Sequence, residues 1–207
     1  STHQLVVWSL HRLVTTTVTL RSKSSPQIAL DPSGRFSAAV VGVDNAVSVV
    51  SDAGTVATGM TVRQGSDPSI AVLGSGLVKV AGVTTQGVVQ IATSQLSGGY
   101  LLELQDTTAV KMYSSAVIHA FGAVGYQVAY THISGAPQMF GTLGTLSGNW
   151  TSLKAASTPS LAIRRDGMVV LAVRDQSNQL WIVNKSAATK QTLALSPFVT
   201  PAVTLLR

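Results

Sequence analysis

Residues 25 to 50 read SPQIALDPSGRFSAAVVGVDNAVSVV, and residues 158 to 183 read TPSLAIRRDGMVVLAVRDQSNQLWIV. Laid over each other without a gap, they match at Pro26 and Pro159, Ala29 and Ala162, Gly34 and Gly167, Ala39 and Ala172, and Asn45 and Asn178. A third copy, DPSIAVLGSGLVKVAGVTTQGVVQIA at 67 to 92, puts Pro68, Ala71, Gly76 and Ala81 in the same phase. A fourth, SAVIHAFGAVGYQVAYTHISGAPQMFG at 115 to 141, keeps Ala120 and Gly125 in phase but needs one extra loop residue before PQMFG meets NQLWI. A fifth begins at TPAVTL, 200 to 205. The anchors Pro26, Pro68, Val117, Pro159 and Pro201 are spaced 42, 49, 42 and 42, the extra seven residues falling around SGGYLLELQDTTAVK. A fixed period of this length means that each copy is one supersecondary unit, unable to bury its faces without its neighbours.

Each unit reads as strands. A short alternating run ends in a Gly turn, a second run follows (GRFSAAVV, GLVKVAGV, GYQVAYTH, GMVVLAVR), then a polar turn and a third run. Val, Ile and Ala at period two between Gly, Asp, Asn and Ser mark hairpins, and no stretch holds a capped helical period. Repeats of this length built from antiparallel strands predict an all-β fold, a β-propeller of five blades of about 42 residues. A β-sandwich would have no reason to keep the register. The repeated Gly at 34, 76, 125 and 167 suits a hairpin needing φ > 0 or an unencumbered backbone, and the repeated Ala suits a crowded strand near the axis.

One domain is expected over 1–207, with units at about 24–65, 66–113, 114–156 and 157–198, and a closing unit made of 199–207 plus 1–23. HQLVV at 3 to 7 matches NQLWI at 178 to 182, so the N-terminus reads as a third strand and the C-terminal TPAVTL as a first strand of the same blade. Joining the two ends would remove the exposed edges of an open array. About ten residues of that blade are absent, which leaves a piece of a larger ring as the alternative.

The 14 basic residues outnumber the 8 acidic ones, but they are scattered, with only Arg164 and Arg165 adjacent, so nucleic acid is not the expected partner. No apolar run approaches the roughly 20 residues of a membrane helix, and no secretory leader is visible at Ser1; compartment stays open, secreted or envelope-associated being slightly favoured. The chain has no cysteine, which removes disulfides, thiolate metal sites and cysteine catalysis.

The units resemble the repeats of the bacterial PLL-like lectins, fucose-binding β-propellers. GNWTSL at 148 to 153 looks like that family's Trp-containing turn, Gly34-Arg35 like its Gly-Arg hairpin, and Gly42 to Val47 and Asn178-Gln179-Leu180-Trp181 like its Gly-x-Asp-Asn-x-Leu-Trp element. The resemblance implies sugar sites between blades that use aromatic faces and polar partners. The chain departs from it where Ser48, Gln90 and Val6 occupy positions that the family fills with an aromatic; Trp181 and Phe140 keep one.

A sugar needs a planar apolar face against its C–H surface and a few fixed donors and acceptors. Trp150, Trp181 and Tyr130 fall in the third and fourth units, and Arg174, Asp175 and Asn178 lie in the turn leading into Trp181. These six are the expected ligand-binding residues, with blade packing as the competing role for the two tryptophans. A glycosidase would need converging carboxylates, and Glu103 with Asp106 is the only pair worth considering. His3, His11, His119 and His132 have no metal-ligand spacing, and the Ser-x-Gly turns lack an elbow context. The expected activity is non-enzymatic carbohydrate binding, with no catalytic residue, metal or cofactor. The alternative is a protein-interaction propeller of a secreted or envelope-associated assembly, or a homo-oligomer.

Overall fold

Ala38, Ala39, Val40 and Val41 are all at most 1 % exposed although they alternate in direction along one strand, so that strand must be covered on both faces. The structure, a computed structural model, describes residues 4–8, 13–106, 109–145, 155, 157–164, 166–184, 187–196 and 200–203. Among them there are strands and no helix, hence none long and apolar enough to cross a membrane.

The first repeat forms a four-stranded antiparallel sheet of β3 (Gln27–Leu30), β4 (Phe36–Val41), β5 (Ala46–Ser51) and β6 (Gly54–Thr61), in sequence order. The second forms β7 (Ser69–Val72), β8 (Val78–Val83), β9 (Val89–Ser94) and β10 (Tyr100–Asp106). The third contributes β11 (Val117–Phe121), β12 (Gly125–Thr131) and β13 (Pro137–Gly141), and the fourth β14 (Ser160–Ile163), β15 (Val169–Arg174), β16 (Gln179–Asn184) and β17 (Ala188–Ala194). Ahead of them, β1 (Val6–Trp8) pairs with β2 (Leu13–Thr15). The innermost strands β3, β7, β11 and β14 lie side by side, and the amide of Ile118 donates to Ser69 Oγ between two of them at 3.2 Å. Sheets set radially around such a row are the blades of a β-propeller.

The core lies between blades. Ala39, Val41, Val47 and Met60 of the first sheet meet Ile70, Val80 and Ala92 of the second. Phe36, Ala38 and Val40 turn the other way, onto Val7 and Leu20. Period-two alternation therefore sends one strand into two successive cores, and removing each Val or Ile from water stabilises by roughly 1.5–3 kcal/mol. The same relation recurs between the second and third sheets around Ile91, Val128 and Tyr130, and between the third and fourth around Met139, Leu161 and Leu171.

Pairing sharpens the repeat. Gln27, Ser69 and Ser160 face Ala39, Ala81 and Ala172, and in the third sheet Val117 faces Ala129. All four alanines are at most 1 % exposed. Val117 is thus the partner of Gln27 and not of Pro26, so the anchor of the third unit moves by one residue to Ala116. The separation from first to second strand is the same 12 residues in all four sheets, so the whole third unit shifts by one, and Phe121 with Gly125 adds one pair to its first hairpin. Gly34, Gly76 and Gly167 have φ of 84°, 85° and 81°; at Gly125 the need is space, since a Cβ would lie 2.6 Å from the Phe121 carbonyl oxygen.

The fourth strands β6, β10 and β17 were not separated as strands in the sequence, because an outer strand has a solvent-facing side and a weak apolar pattern. The expected closure by the two ends is not found among the described residues. β1 and β2 pair only with each other and residues 200–203 form no strand, although the amide of Val203 donates to the Ser160 hydroxyl at 2.9 Å, the contact that Ile118 makes to Ser69 between inner strands.

Candidate functional site

The chain passes from the outer strand of one blade to the inner strand of the next through a repeated device. Leu20 bridges Gly42, Val62 bridges Thr84, and Val110 bridges His132, so each connection is pinned beside the second hairpin of the following blade. A turn follows in each case, closed by Ser24 N to Arg21 O, Ser66 N to Arg63 O and Ser114 N to Lys111 O. Its third residue has positive φ: 62° at Lys23, 79° at Gly65 and 61° at Tyr113. That is the pattern of a type II turn, which favours Gly at this position. One blade has the glycine; a lysine and a tyrosine take the strained conformation in the other two.

The first residue of each turn is basic and ties blade to blade. Arg21 donates to the carbonyls of Arg63 at 3.2 Å and Ser66 at 2.6 Å, and to Asn45 Oδ1 at 2.9 Å. Arg63 repeats this one blade on, donating to the carbonyls of Val110, Lys111 and Ser114. Lys111 Nζ donates to the Ala155 carbonyl at 2.7 Å. Cations that look scattered in the sequence are therefore aligned in the fold. The spacing of 42 between Arg21 and Arg63 was the signal for them.

Over these turns lies an open cavity of about 850 Å³, lined by Lys23, Arg63, Gln64, Gln86 and Tyr113 among others. Tyr113 is 76 % exposed. Its ring rests on Gly65, where a Cβ would come within 2.9 Å of Tyr113 Cδ1. Thr85 Oγ1 donates to Gln86 Oε1 at 3.1 Å, holding the end of that amide. Burial lowers the pKa of the Arg63 guanidinium, and its Nε is buried without a hydrogen-bond partner.

Of the six expected site residues, four come together on the β15–β16 hairpin. Arg174 Nη1 donates to Asn178 Oδ1 at 2.7 Å, and Trp181 Nε1 donates to Asp175 Oδ2 at 2.8 Å. Burial alone would raise the Asp175 pKa, but the amide of Gln179, the Trp181 indole, the amide of Ser177 and the charge of Lys190 hold it below the usual carboxylate range. Asn178 takes the left-handed φ of 60° that an Asn tolerates, and the half-buried Trp181 packs against the core between the third and fourth blades. Tyr130 is not brought to them. It is fully buried between the second and third blades, edge-on to Phe140 at 6.2 Å, with its hydroxyl 2.5 Å from Gln138 Oε1. Trp150 lies outside the described residues. Sequence reasoning missed Tyr113, because a lone aromatic between Met112 and Ser114 has no periodic signal.

The carboxylates elsewhere are engaged locally. The Ser33 hydroxyl, then the Arg35 side chain and two backbone amides, hold Asp31 well below its ordinary pKa. Glu103 accepts from Thr93 at 3.2 Å and lies 3.9 Å from Lys79, whose ammonium sits 4.5 Å over the Tyr126 ring. Burial lowers the pKa of that lysine, against the opposing charge of Glu103. Burial likewise keeps His119 neutral to lower pH than usual. Among the described residues no three His, Asp or Glu side chains gather as metal ligands would.

No protein-family model matches the chain, and no curated protein matches its sequence. Among solved structures, the SapL1 lectin in complex with alpha methyl fucoside is similar with a TM-score of 0.66 at 13 % identity, over 89 % of this chain and 71 % of that one. The Cps50 (Swd1) β-propeller domain from Myceliophteria thermophila is similar with a TM-score of 0.50 at 14 % identity, over 87 % of this chain and 59 % of that one. A fucose lectin from Kordia zhangzhouensis in complex with methyl-fucoside overlaps 61 % of this chain and 99 % of its own at 14 % identity, with a TM-score of 0.44. At these identities the likeness is one of fold. It is a β-propeller fold, and the repeats' resemblance to PLL-like lectins has its three-dimensional counterpart in a lectin solved with a fucoside.

Proposed function

We propose that this propeller is a non-enzymatic carbohydrate-binding protein whose site is the cavity over the inter-blade turns. The observation that carries the reading is Tyr113, a ring three-quarters exposed, held in a left-handed backbone and seated on Gly65. A residue strained in this way is worth about 1–3 kcal/mol that the fold supplies elsewhere, and such strain concentrates at functional positions. The ring offers the C–H face of a sugar a flat partner, and the amides of Gln64 and Gln86 on the same cavity suit its hydroxyls. The volume of about 850 Å³ falls in the range of ligand pockets. Among the described residues no Asp, Glu or His lines the cavity, so they provide there no pair of acid and base groups for glycoside cleavage. Lectins of the same fold add support by analogy alone.

The β15–β16 hairpin is the second position, favoured by an indole whose orientation the Asp175 carboxylate holds. The test is a glycan-array screen of the protein beside Tyr113→Ala and Trp181→Ala. Binding that falls roughly tenfold or more in Tyr113→Ala, as expected for loss of an aromatic anchor, supports the cavity. Loss only in Trp181→Ala moves the site to the fourth blade. Absence of any glycan signal overturns the carbohydrate reading and favours a protein partner.

A further inference from the structure

We infer that the cavity takes an acidic glycan, one whose sugars carry a carboxylate or a sulfate ester, and not a neutral sugar. The inference rests on the carbohydrate reading of this site and names its ligand class.

Among the described residues Arg21, Lys23 and Arg63 line the cavity, and no carboxylate does. Arg21 has a counter-charge, since its Nη2 lies 3.4 Å from Asp67 Oδ1. Among the described residues no ion pair involves Arg63 or Lys23. Among the described residues the Arg63 Nη atoms donate to the carbonyls of Val110, Lys111 and Ser114, neutral acceptors that leave its charge unbalanced, and its Nε has no partner. A partly buried cation without a carboxylate is costly, and an oxyanion placed in the cavity would recover part of that cost. The same burial lowers the pKa of the Arg63 guanidinium.

The repeat places the charge usefully. Lys23, Gly65 and Tyr113 are the same turn position in three successive blades. Gly65, without a side chain, stands between Lys23 and Tyr113 in this order, and the edge of the Tyr113 ring rests on it. A sugar stacked on Tyr113 would therefore present its acidic substituent across Gly65, toward Lys23 and the Arg63 floor. Lys23 and Tyr113 are also, among the described residues, the two residues with positive φ that are neither Gly nor Asn, and both line this cavity. The net charge of +6 adds a long-range field of the same sign.

The experiment is calorimetric titration at two salt concentrations with matched pairs of probes. One pair is an oligogalacturonide and its methyl ester, which keeps the sugar and removes the charge. The other is a sulfated galactan oligomer and its desulfated form. Each is run on the protein and on Lys23→Gly, a variant that relieves the φ of 62° and so should be no less stable, as thermal melting will verify. The expected result is a preference of about tenfold or more for one acidic member over its neutral partner, reduced about fivefold in Lys23→Gly and weakened by salt. Which pair responds decides between carboxylate and sulfate. Equal binding of acidic and neutral members overturns the inference and leaves the carbohydrate reading standing. An acidic preference that Lys23→Gly does not change, or one that an oligonucleotide of equal charge competes away, overturns it as a general polyanion effect. No binding of any of the four overturns the inference, and the glycan array then decides the carbohydrate reading separately.

Discussion

Arg63 shows how much one side chain contributes to the contact between blades. Its guanidinium reaches three carbonyls of the next connection, 47 to 51 residues further along the chain, and its neighbours Arg21 and Lys111 do the same one blade to either side. Replacing Arg63 by Leu would remove the donors while leaving the carbonyls in place. Bonds to a charged group are worth about 1.5–3 kcal/mol each and three are lost together, but removing a partly buried, unbalanced cation offsets much of that, so unfolding free energy should fall by about 2–3 kcal/mol, read from the denaturant midpoint. Arg63→Lys should fall between the two, because an ammonium keeps the charge but cannot span three acceptors with a planar fork. A Leu variant as stable as the parent would show that the carbonyls find water equally well.

At the scale of elements, the hairpins of neighbouring blades touch at the end opposite the cavity. The amides of Gly74 and Ser75 donate to the carbonyls of Gly122 and Ala123 at 2.9 Å, joining the β7–β8 turn to the β11–β12 turn. This approach needs the glycine, for a Cβ on Gly74 would stand 2.6 Å from the Gly122 oxygen. Gly74→Ala should therefore cost about 1–3 kcal/mol by overpacking against backbone, measured as a shift in melting temperature. Gly34→Ala is the control of a different kind: nothing lies within 4 Å of its Cβ, and only the φ of 84° opposes it. The second blade also differs from the first in loop length. Ser51 pairs with Gly54 in the first blade, whereas Ser94 pairs with Tyr100 in the second, and this longer hairpin holds part of the insertion seen in the repeat spacing.

For the whole molecule, stability follows the groups that each inter-blade core holds in one protonation state. Tyr100 packs beside the core between the first two blades, and burial pushes its pKa up to about 12. A raised value in the folded state favours folding while the phenol is protonated. Its contribution is complete below the ordinary tyrosine value near pH 10 and is lost as pH rises toward 12. Melting temperature should decline over that window, and Tyr100→Phe should flatten the decline; an unchanged slope would remove Tyr100 as its cause. On the acid side the depressed pKa values of Asp31 and Asp175 run the other way. Their contributions are complete above the ordinary carboxylate range and are lost as pH falls through their folded values.

Sequence by itself determined the blade. Period, hairpin glycines, buried alanines and the alternation of strands such as β4 all follow from local rules, since a strand covered on both faces must be small and apolar throughout. The hairpin of Arg174, Asp175, Asn178 and Trp181 was legible for the same reason, its members being at most seven positions apart. What tertiary structure alone decided is what successive blades place beside one another. Tyr130 belongs to a core because its strand turns it between the second and third sheets, a direction that one residue of phase decides. Lys23, Gly65 and Tyr113 share no chemistry and no local pattern; they become one surface because three equivalent turns stand in a row around an axis. The seat of residues 200–203 is of the same kind, since the amide of Val203 docks on the Ser160 hydroxyl of the fourth blade as that of Ile118 docks on Ser69. Local periodicity writes the unit, and the contacts between units, which carry the cavity and its charge, depend on distances that no single repeat contains.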